Sequence, residues 1–439
     1  MDRVNTDHRL PDKAADPAVQ APRVGARVFG FLGPGLITGA SDDDPSGIAT
    51  YSQVGAQFGY GIGWIMLFSY PLMSAIQEIS ARIGRVTGHG IAGNVRVHYS
   101  PLLLHAMVGL LLVANVINIG ADLGAMAAAV NLLIGGPVWA YVVAIAVGCV
   151  WLEIFSQYAR YVAILKWLTL ALFAYVAAAF VVDIPWERAF RAALLPQVVV
   201  SRDYIVGIVA VLGTTISPYL FFWQSSDEAE KERVTLGAHA LKWAPHQGKS
   251  ELRRIRLDTY VGMGLSNLIG LFIIWTTAAT LNAGGVTDIQ TSAQAAEALR
   301  PIAGDFTFVV FALGIVGTGL LAVPVLAGST AYALGEALRW RTGLGRKPER
   351  AKAFYGAIAL VTLAGIGINV IDIDPIKALF WSAVINGVVA VPLMAVMMRM
   401  ASDPRILGRW RLSAPLKIVG WASTAVMAVT VLAMFAIWL

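Results

Sequence analysis

Three carboxylates stand side by side in the first long apolar stretch of the chain: Asp42, Asp43 and Asp44. Pro45 follows directly and Gly47 two residues later. A charge inside an apolar span costs several kcal/mol unless it lines a wet cavity or meets a cation, so such residues mark function. Proline removes a backbone donor and glycine admits unusual torsions, so the run predicts an unwound segment at Asp44. The competing reading puts the acidic run in an outer loop. A second interruption reads Gly213-Thr214-Thr215-Ile216-Ser217-Pro218-Tyr219, again a proline among small polar residues within an apolar stretch. Taken alone it could be a plain proline kink. Asp44 offers carboxylate oxygen, the unwound backbone offers carbonyls, and Thr214 and Ser217 could add hydroxyls or carbonyls. A set of oxygens without Cys, His or Met suits hard cations such as Mg²⁺, Mn²⁺ or Ca²⁺. With few protein ligands, Mg²⁺ could keep several of its waters.

The elements that must position these groups follow from composition. Of 439 residues, 57% are hydrophobic and 14% charged, against roughly a quarter charged in soluble domains. Apolar blocks long enough for a bilayer core, roughly 20 residues each, predict about eleven transmembrane helices. Their approximate spans are 28–57, 61–83, 102–134, 138–156, 159–182, 203–226, 258–281, 306–335, 353–371, 376–399 and 416–438. With the N-terminus inside, inner segments carry 28 of the Lys and Arg residues and outer loops 5. Cytoplasmic loops retain Lys and Arg, so this bias predicts a multi-pass protein of the cell membrane with a cytoplasmic N-terminus. It also accounts for the net charge of +6 without nucleic acid. Residues 1–26 read as a disordered cytoplasmic tail without a signal peptide's apolar core. The lone Cys149 excludes an internal disulfide and a cysteine metal site.

The two interruptions fall in spans 1 and 6, at equivalent places in two sets of five. An odd number of spans inverts the second copy, so 27–183 and 200–399 are expected to be inverted five-helix repeats, followed by a cytoplasmic loop and last helix in 400–439. Paired broken helices in inverted repeats point to a midplane site in a secondary transporter.

These residues resemble the Nramp family of divalent metal transporters, an all-α membrane family with the LeuT-type fold. Gly33-Pro34-Gly35 through Asp44-Pro45 resembles its helix 1 opening and Asp-Pro-Gly-Asn break. Gln77 to Gly93 resembles the end of its helix 2, Ala121-Asp122-Leu123 its helix 3 Thr-Asp-Leu, and Gly213 to Pro218 its helix 6 Gly-Ala-Thr-x-Met-Pro-His. The resemblance implies that Asp44 binds the metal. It also exposes departures: Gly47 stands for the family's Asn, Ser217 for its Met, Thr214 for its carbonyl-donating Ala and Tyr219 for its His. Asn115 and Ala125 replace two helix 3 glutamates of its proton route, while Asp122 is retained. This pattern is similar to the Nramp-related magnesium transporters, which lack the same Met and Asn and are not proton-driven. It implies uptake of Mg²⁺ or Mn²⁺ by alternating access, without protons and without a resident cofactor.

Asp43, Tyr219, Asp122 and Asn386 are expected around that site, in a second layer or the vestibule. Asp122 reads first as structural, bonded through Asn118 or a helix 9 group. Ser382 could face the site, Asn267 suits an interhelical hydrogen bond, and Met394, Met397, Met398 and Met400 read as packing. Glu78 and Arg82 are expected at a solvated helix end, or else as an inner gate. The alternative function is a LeuT-type carrier of an amino acid or other small organic solute, although three adjacent carboxylates would repel a carboxylate substrate. No His-Glu-x-x-His, Gly-x-Ser-x-Gly or cysteine pair supports an intramembrane enzyme.

Overall fold

Asp44 and Pro45 together start a helix. Proline fits the first helical position because its missing N–H is unsatisfied there anyway, and an aspartate before it caps the free amides. The computed structural model describes residues 38–39, 41–155, 172–199, 201–235, 237–370 and 374–438, and every element among them is helical. We number the main helices α1 (Pro45–Phe58), α2 (Trp64–Thr87), α3 (Ile91–His98), α4 (Pro101–Ile134), α5 (Val138–Phe155), α6 (Phe173–Val181), α7 (Trp186–Leu194), α8 (Arg202–Thr215), α9 (Pro218–Val234), α10 (Gly248–Thr277), α11 (Thr307–Leu338), α12 (Lys352–Ile368), α13 (Pro375–Ala401) and α14 (Ala414–Trp438).

Seven helical stretches among the described residues are long and apolar enough to cross a membrane, and α12 is a shorter apolar helix. The α1–α2 pair turns through 109°. The corner is a 3₁₀ turn, Gly59–Ile62, in which Gly59 takes φ +57°. This is a connection between two elements, as expected for spans 1 and 2. The Gly33-Pro34-Gly35 motif, the tail and most of the expected span 159–182 lie outside the described residues.

Helix α1 is central. Its residues from Pro45 to Ala56 are all buried, and α8, α10 and α13 pack around it. Around that centre, α4 packs on α11, α12 and α13, while α9 packs on α2 and α11. Large apolar side chains on the outside, among them Leu102, Val113, Trp151, Phe180, Leu360 and Val429, are exposed. Such a surface suits lipid, because water would oppose so wide an apolar area. Close packing inside uses small residues, as in membrane helices generally. A Cβ on Gly213 would overlap the Ala383 carbonyl and lie 2.6 Å from the Gly387 nitrogen, so α8 and α13 meet backbone to backbone.

Hydropathy reads apolar length, so it missed polar helices. Helices α3 and α7 lie in segments read as loops, and α10 begins at Gly248, ten residues before the expected 258. The solvated-end expectation for Glu78 and Arg82 is overturned. Both are buried, and Arg82 donates from Nε to Glu78 Oε1 at 2.9 Å while Arg256 donates to the same oxygen at 3.4 Å. One helical turn separates Glu78 and Arg82, and α9 and α10 cover that end of α2, so tertiary packing removes the solvent. Asn267 donates to the Met66 carbonyl on α2, the interhelical bond expected. Met394, Met397, Met398 and Met400 are buried in the apolar core.

Candidate metal centre

The chain bends at Asp43, and Asp44 is extended at φ −68°, ψ 171°. Asp44 is the N-cap of α1: its Oδ1 accepts from the Gly47 amide at 2.7 Å. The second break lies between α8 and α9, at Ile216 (φ −121°, ψ 53°) and Ser217 (φ −74°, ψ 136°), with Pro218 opening α9. Both interruptions therefore present unwound backbone and a helix N-terminus. The acidic run is buried inside the bundle, so the outer-loop reading falls.

The breaks meet. A Cβ on Gly47 would lie 3.2 Å from both the Asp42 carbonyl and Thr214 Oγ1. Tyr219, in the first turn of α9, donates from its hydroxyl to the Ser41 carbonyl at 2.9 Å and reaches Asp44 Oδ2 at 3.3 Å. Ser217 Oγ lies 2.7 Å from the Gly213 carbonyl and 2.8 Å from that of Thr214, satisfying the open end of α8. Gly47 brings no side-chain ligand. Its amide orients Asp44, and its bare Cα leaves room for Thr214.

One amide organises the far side. Asn118 Nδ2 donates to Asp44 Oδ2 at 3.3 Å and to Asp122 Oδ2 at 3.1 Å, and its Oδ1 accepts from Asn386 Nδ2 at 2.8 Å. Both N–H bonds and the acceptor of that amide are in use, which settles which way it points. Asp122 thus bonds Asn118, as expected, and its Oδ1 has no partner. Asn386 stands two hydrogen bonds from Asp44. Ser382 bonds its own helix at Leu379. Asn115 Nδ2 lies within hydrogen-bond distance of Ser329 Oγ, Thr330 Oγ1 and the Leu326 carbonyl, and its two N–H groups tie α4 to α11.

Asp42 and Asp43 face Ser266 of α10, whose hydroxyl lies 2.5 Å from Asp42 Oδ2 and 3.0 Å from Asp43 Oδ1. Among the described residues no three His, Cys, Asp or Glu side chains converge on one point. An ion at Asp44 would therefore be completed by neutral oxygen: carbonyls at the breaks, hydroxyls and water.

Residues 35–437 match the Nramp family profile, described as natural resistance-associated macrophage protein-like. The chain belongs to the Nramp family. Among relatives of this Nramp protein, a Chromohalobacter salexigens protein named divalent metal cation transporter MntH is 28% identical over 326 residues, covering 73% of each chain. A Burkholderia ambifaria protein of the same name is 25% identical over 439 residues, covering 97% of this chain and 92% of its own. A crystal structure of the Eremococcus coleocola manganese transporter superposes with a TM-score of 0.70 at 17% identity, over 95% of this chain and 88% of that one. Mhp1, a nucleobase-cation-symport-1 family transporter in a closed conformation, superposes with a TM-score of 0.57 at 11% identity, over 92% of each chain. These likenesses place this Nramp protein in the LeuT-type fold.

Sequence reasoning singled out Asp44, Thr214, Ser217 and Tyr219: the fold brings Tyr219 to Asp44 and Thr214 beside Gly47, while the Ser217 hydroxyl bonds back to its own helix. It gave Asn118 only as a partner for Asp122, and it passed over Ser266. A signal for Asn118 existed: an amide one turn before Asp122 on an apolar helix. Nothing in the local pattern around Ser266 says that it faces the acidic run.

Proposed function

We propose that this protein is a secondary transporter that carries divalent metal ions, Mg²⁺ or Mn²⁺, across the cell membrane by alternating access. The observation that carries the reading is Asp44, a buried carboxylate at a helix break, opposed by the second break with oxygen donors only. Its relatives named as divalent metal cation transporters support the cargo class. Asp44 anchors the ion, and carbonyls of the unwound segments with the hydroxyls of Thr214 and Ser217 complete its shell. Tyr219, Asn118 and Asn386 hold Asp44 in position from behind, and Asp43 and Asp122 line the approach.

Hardness is the basis of selectivity here. With serine at 217 the site has no thioether, so it lacks the soft donor that favours Cd²⁺ over Mg²⁺. The positions through which related proteins are implied to pass protons hold Asn115, Ala125 and Tyr219, and none of these exchanges a proton near neutral pH. Transport is therefore uncoupled from protons. In this reading residues 27–183 and 200–399 are the two inverted repeats, and the N-terminus is cytoplasmic. The test is uptake into proteoliposomes containing the purified protein, with Mg²⁺, Mn²⁺ and Ca²⁺ supplied separately and in competition. Saturable Mn²⁺ uptake that Mg²⁺ competes for at millimolar or lower concentration is expected. Uptake indifferent to Mg²⁺ would sink the magnesium assignment, and no metal uptake at all would sink the transporter.

A further inference from the structure

Gly47 has no side chain, and two hydroxyl-bearing residues border the space it leaves. A Cβ there would lie 3.2 Å from Thr214 Oγ1 and 3.4 Å from Tyr51 Cε2. Tyr51 follows Gly47 by four residues on α1, so the two share one face of the helix, and helical side chains lean toward the helix N-terminus. Its ring therefore lies back along α1 toward Asp44. On its other side the ring rests on Gly270 of α10, whose Cβ would lie 2.9 Å from Tyr51 Cε2 and 3.1 Å from Cζ. Two glycines on two helices make a slot for one ring, and a side chain at either would push the ring out of it.

The slot is occupied by a group with nothing to bond. Tyr51 is fully buried, and its hydroxyl has no hydrogen-bond partner among the described residues. Thr214 stands near it, but the two hydroxyls do not complete a hydrogen bond. A buried phenol ordinarily has a partner, because leaving its oxygen unpaired forfeits the hydration it had in water. Asp42, Asp43 and Asp44 lie within electrostatic range of this hydroxyl. Among the described residues no Lys, Arg or His forms an ion pair with any of the three. The orphaned oxygen thus faces a buried anionic centre that no side-chain cation neutralises.

We propose that the Tyr51 hydroxyl is an oxygen donor to the ion held at Asp44, standing with Thr214 where a side chain at position 47 would otherwise be. The phenol oxygen is hard and neutral. It completes an all-oxygen shell suited to Mg²⁺ or Mn²⁺ and adds no charge to that of the carboxylate. The ring is held between Gly47 and Gly270 before the ion arrives, so the donor is already in place and binding does not have to order it. The bare Cα of Gly47 is what admits both hydroxyls to the site. The assignment deepens the metal-transport reading and rests on it.

The experiment is calorimetric Mn²⁺ titration of the purified full chain, with thermal melts in the presence and absence of Mn²⁺, for wild type, Tyr51→Phe and Asp44→Asn. Tyr51→Phe removes one oxygen that bonds no protein group, so the metal-free variant is expected to melt as the wild type does. Its Mn²⁺ affinity is expected to fall about tenfold, and the rise in Tm that Mn²⁺ brings should shrink with it. Unchanged Mn²⁺ affinity in Tyr51→Phe overturns the proposal. A lower metal-free Tm with unchanged affinity overturns it too, because the hydroxyl then serves only the fold. Should Tyr51→Phe not fold, Gly47→Ala is the second probe. It keeps both hydroxyls and presses a methyl group against Thr214 and Tyr51, so weaker Mn²⁺ binding is expected and unchanged affinity overturns the site. The two readings fail separately. A wild type that binds no Mn²⁺ removes the metal reading and Tyr51's role with it. A wild type that binds, an Asp44→Asn that does not and a Tyr51→Phe equal to wild type remove Tyr51 alone.

Discussion

Replacing Asp44 by asparagine changes its charge and almost nothing of its shape. Its Oδ1 caps α1 through the Gly47 amide at 2.7 Å, and asparagine caps a helix about as well as aspartate. The cap therefore survives in Asp44→Asn, whereas Asp44→Ala forfeits about 1 kcal/mol of helix stability. What both variants lose is the anion. Removing one partner of a buried charge pair costs about 3–5 kcal/mol, and at 1.4 kcal/mol per tenfold the affinity of the Asp44 ion should fall roughly 10²- to 10⁴-fold. The assay pairs Mn²⁺ uptake into proteoliposomes with calorimetric Mn²⁺ titration of the same preparation. We expect uptake at low Mn²⁺ to vanish in Asp44→Asn while the protein elutes as the wild type does. If Asp44→Asn transports at wild-type rate and affinity, Asp44 caps a helix and does nothing more.

Ser217→Met places a thioether at the second break and is expected to shift preference toward Cd²⁺ and away from Mg²⁺, measured by competition against Mn²⁺ uptake; unchanged selectivity would remove position 217 from the site. Metal uptake at clamped potential should leave a trapped pH dye unmoved, since Asp122 is the sole carboxylate of α4; acidification that tracks influx and disappears in Asp122→Asn would restore a proton path. Glu78→Gln should destabilise the fold by about 3–5 kcal/mol because it strands the buried Arg82, and Glu78→Gln/Arg82→Met should recover most of that loss in thermal melts. Equal melting of the wild type and Glu78→Gln would show that the pair is screened after all.

The sequence by itself determined which segments are long and apolar enough to cross a membrane and where two of them cannot stay helical. Apolar length is a local property, so most apolar segments read from hydropathy became helices within a few residues: 102–134 against Pro101–Ile134, and 376–399 against Pro375–Ala401. Proline is local too. It forfeits a backbone donor wherever it stands, so Pro45 and Pro218 announced both breaks. Tertiary structure decided everything that depends on which helix faces which. The polar start of α10 is largely exposed and is tied to the fold by Arg254, which pairs with Glu228 of α9 and with Glu251, and hydropathy is silent about that. Glu78 and Arg82 look like a solvated end in isolation and are buried by α9 and α10. Asn118 joins Asp44 to Asp122, and Ser266 faces Asp42 and Asp43, across 74 and 224 residues of chain respectively. A hydrogen bond is specified by the positions of two atoms in space, and when its partners lie that far apart in sequence only the packing of the helices between them can set those positions.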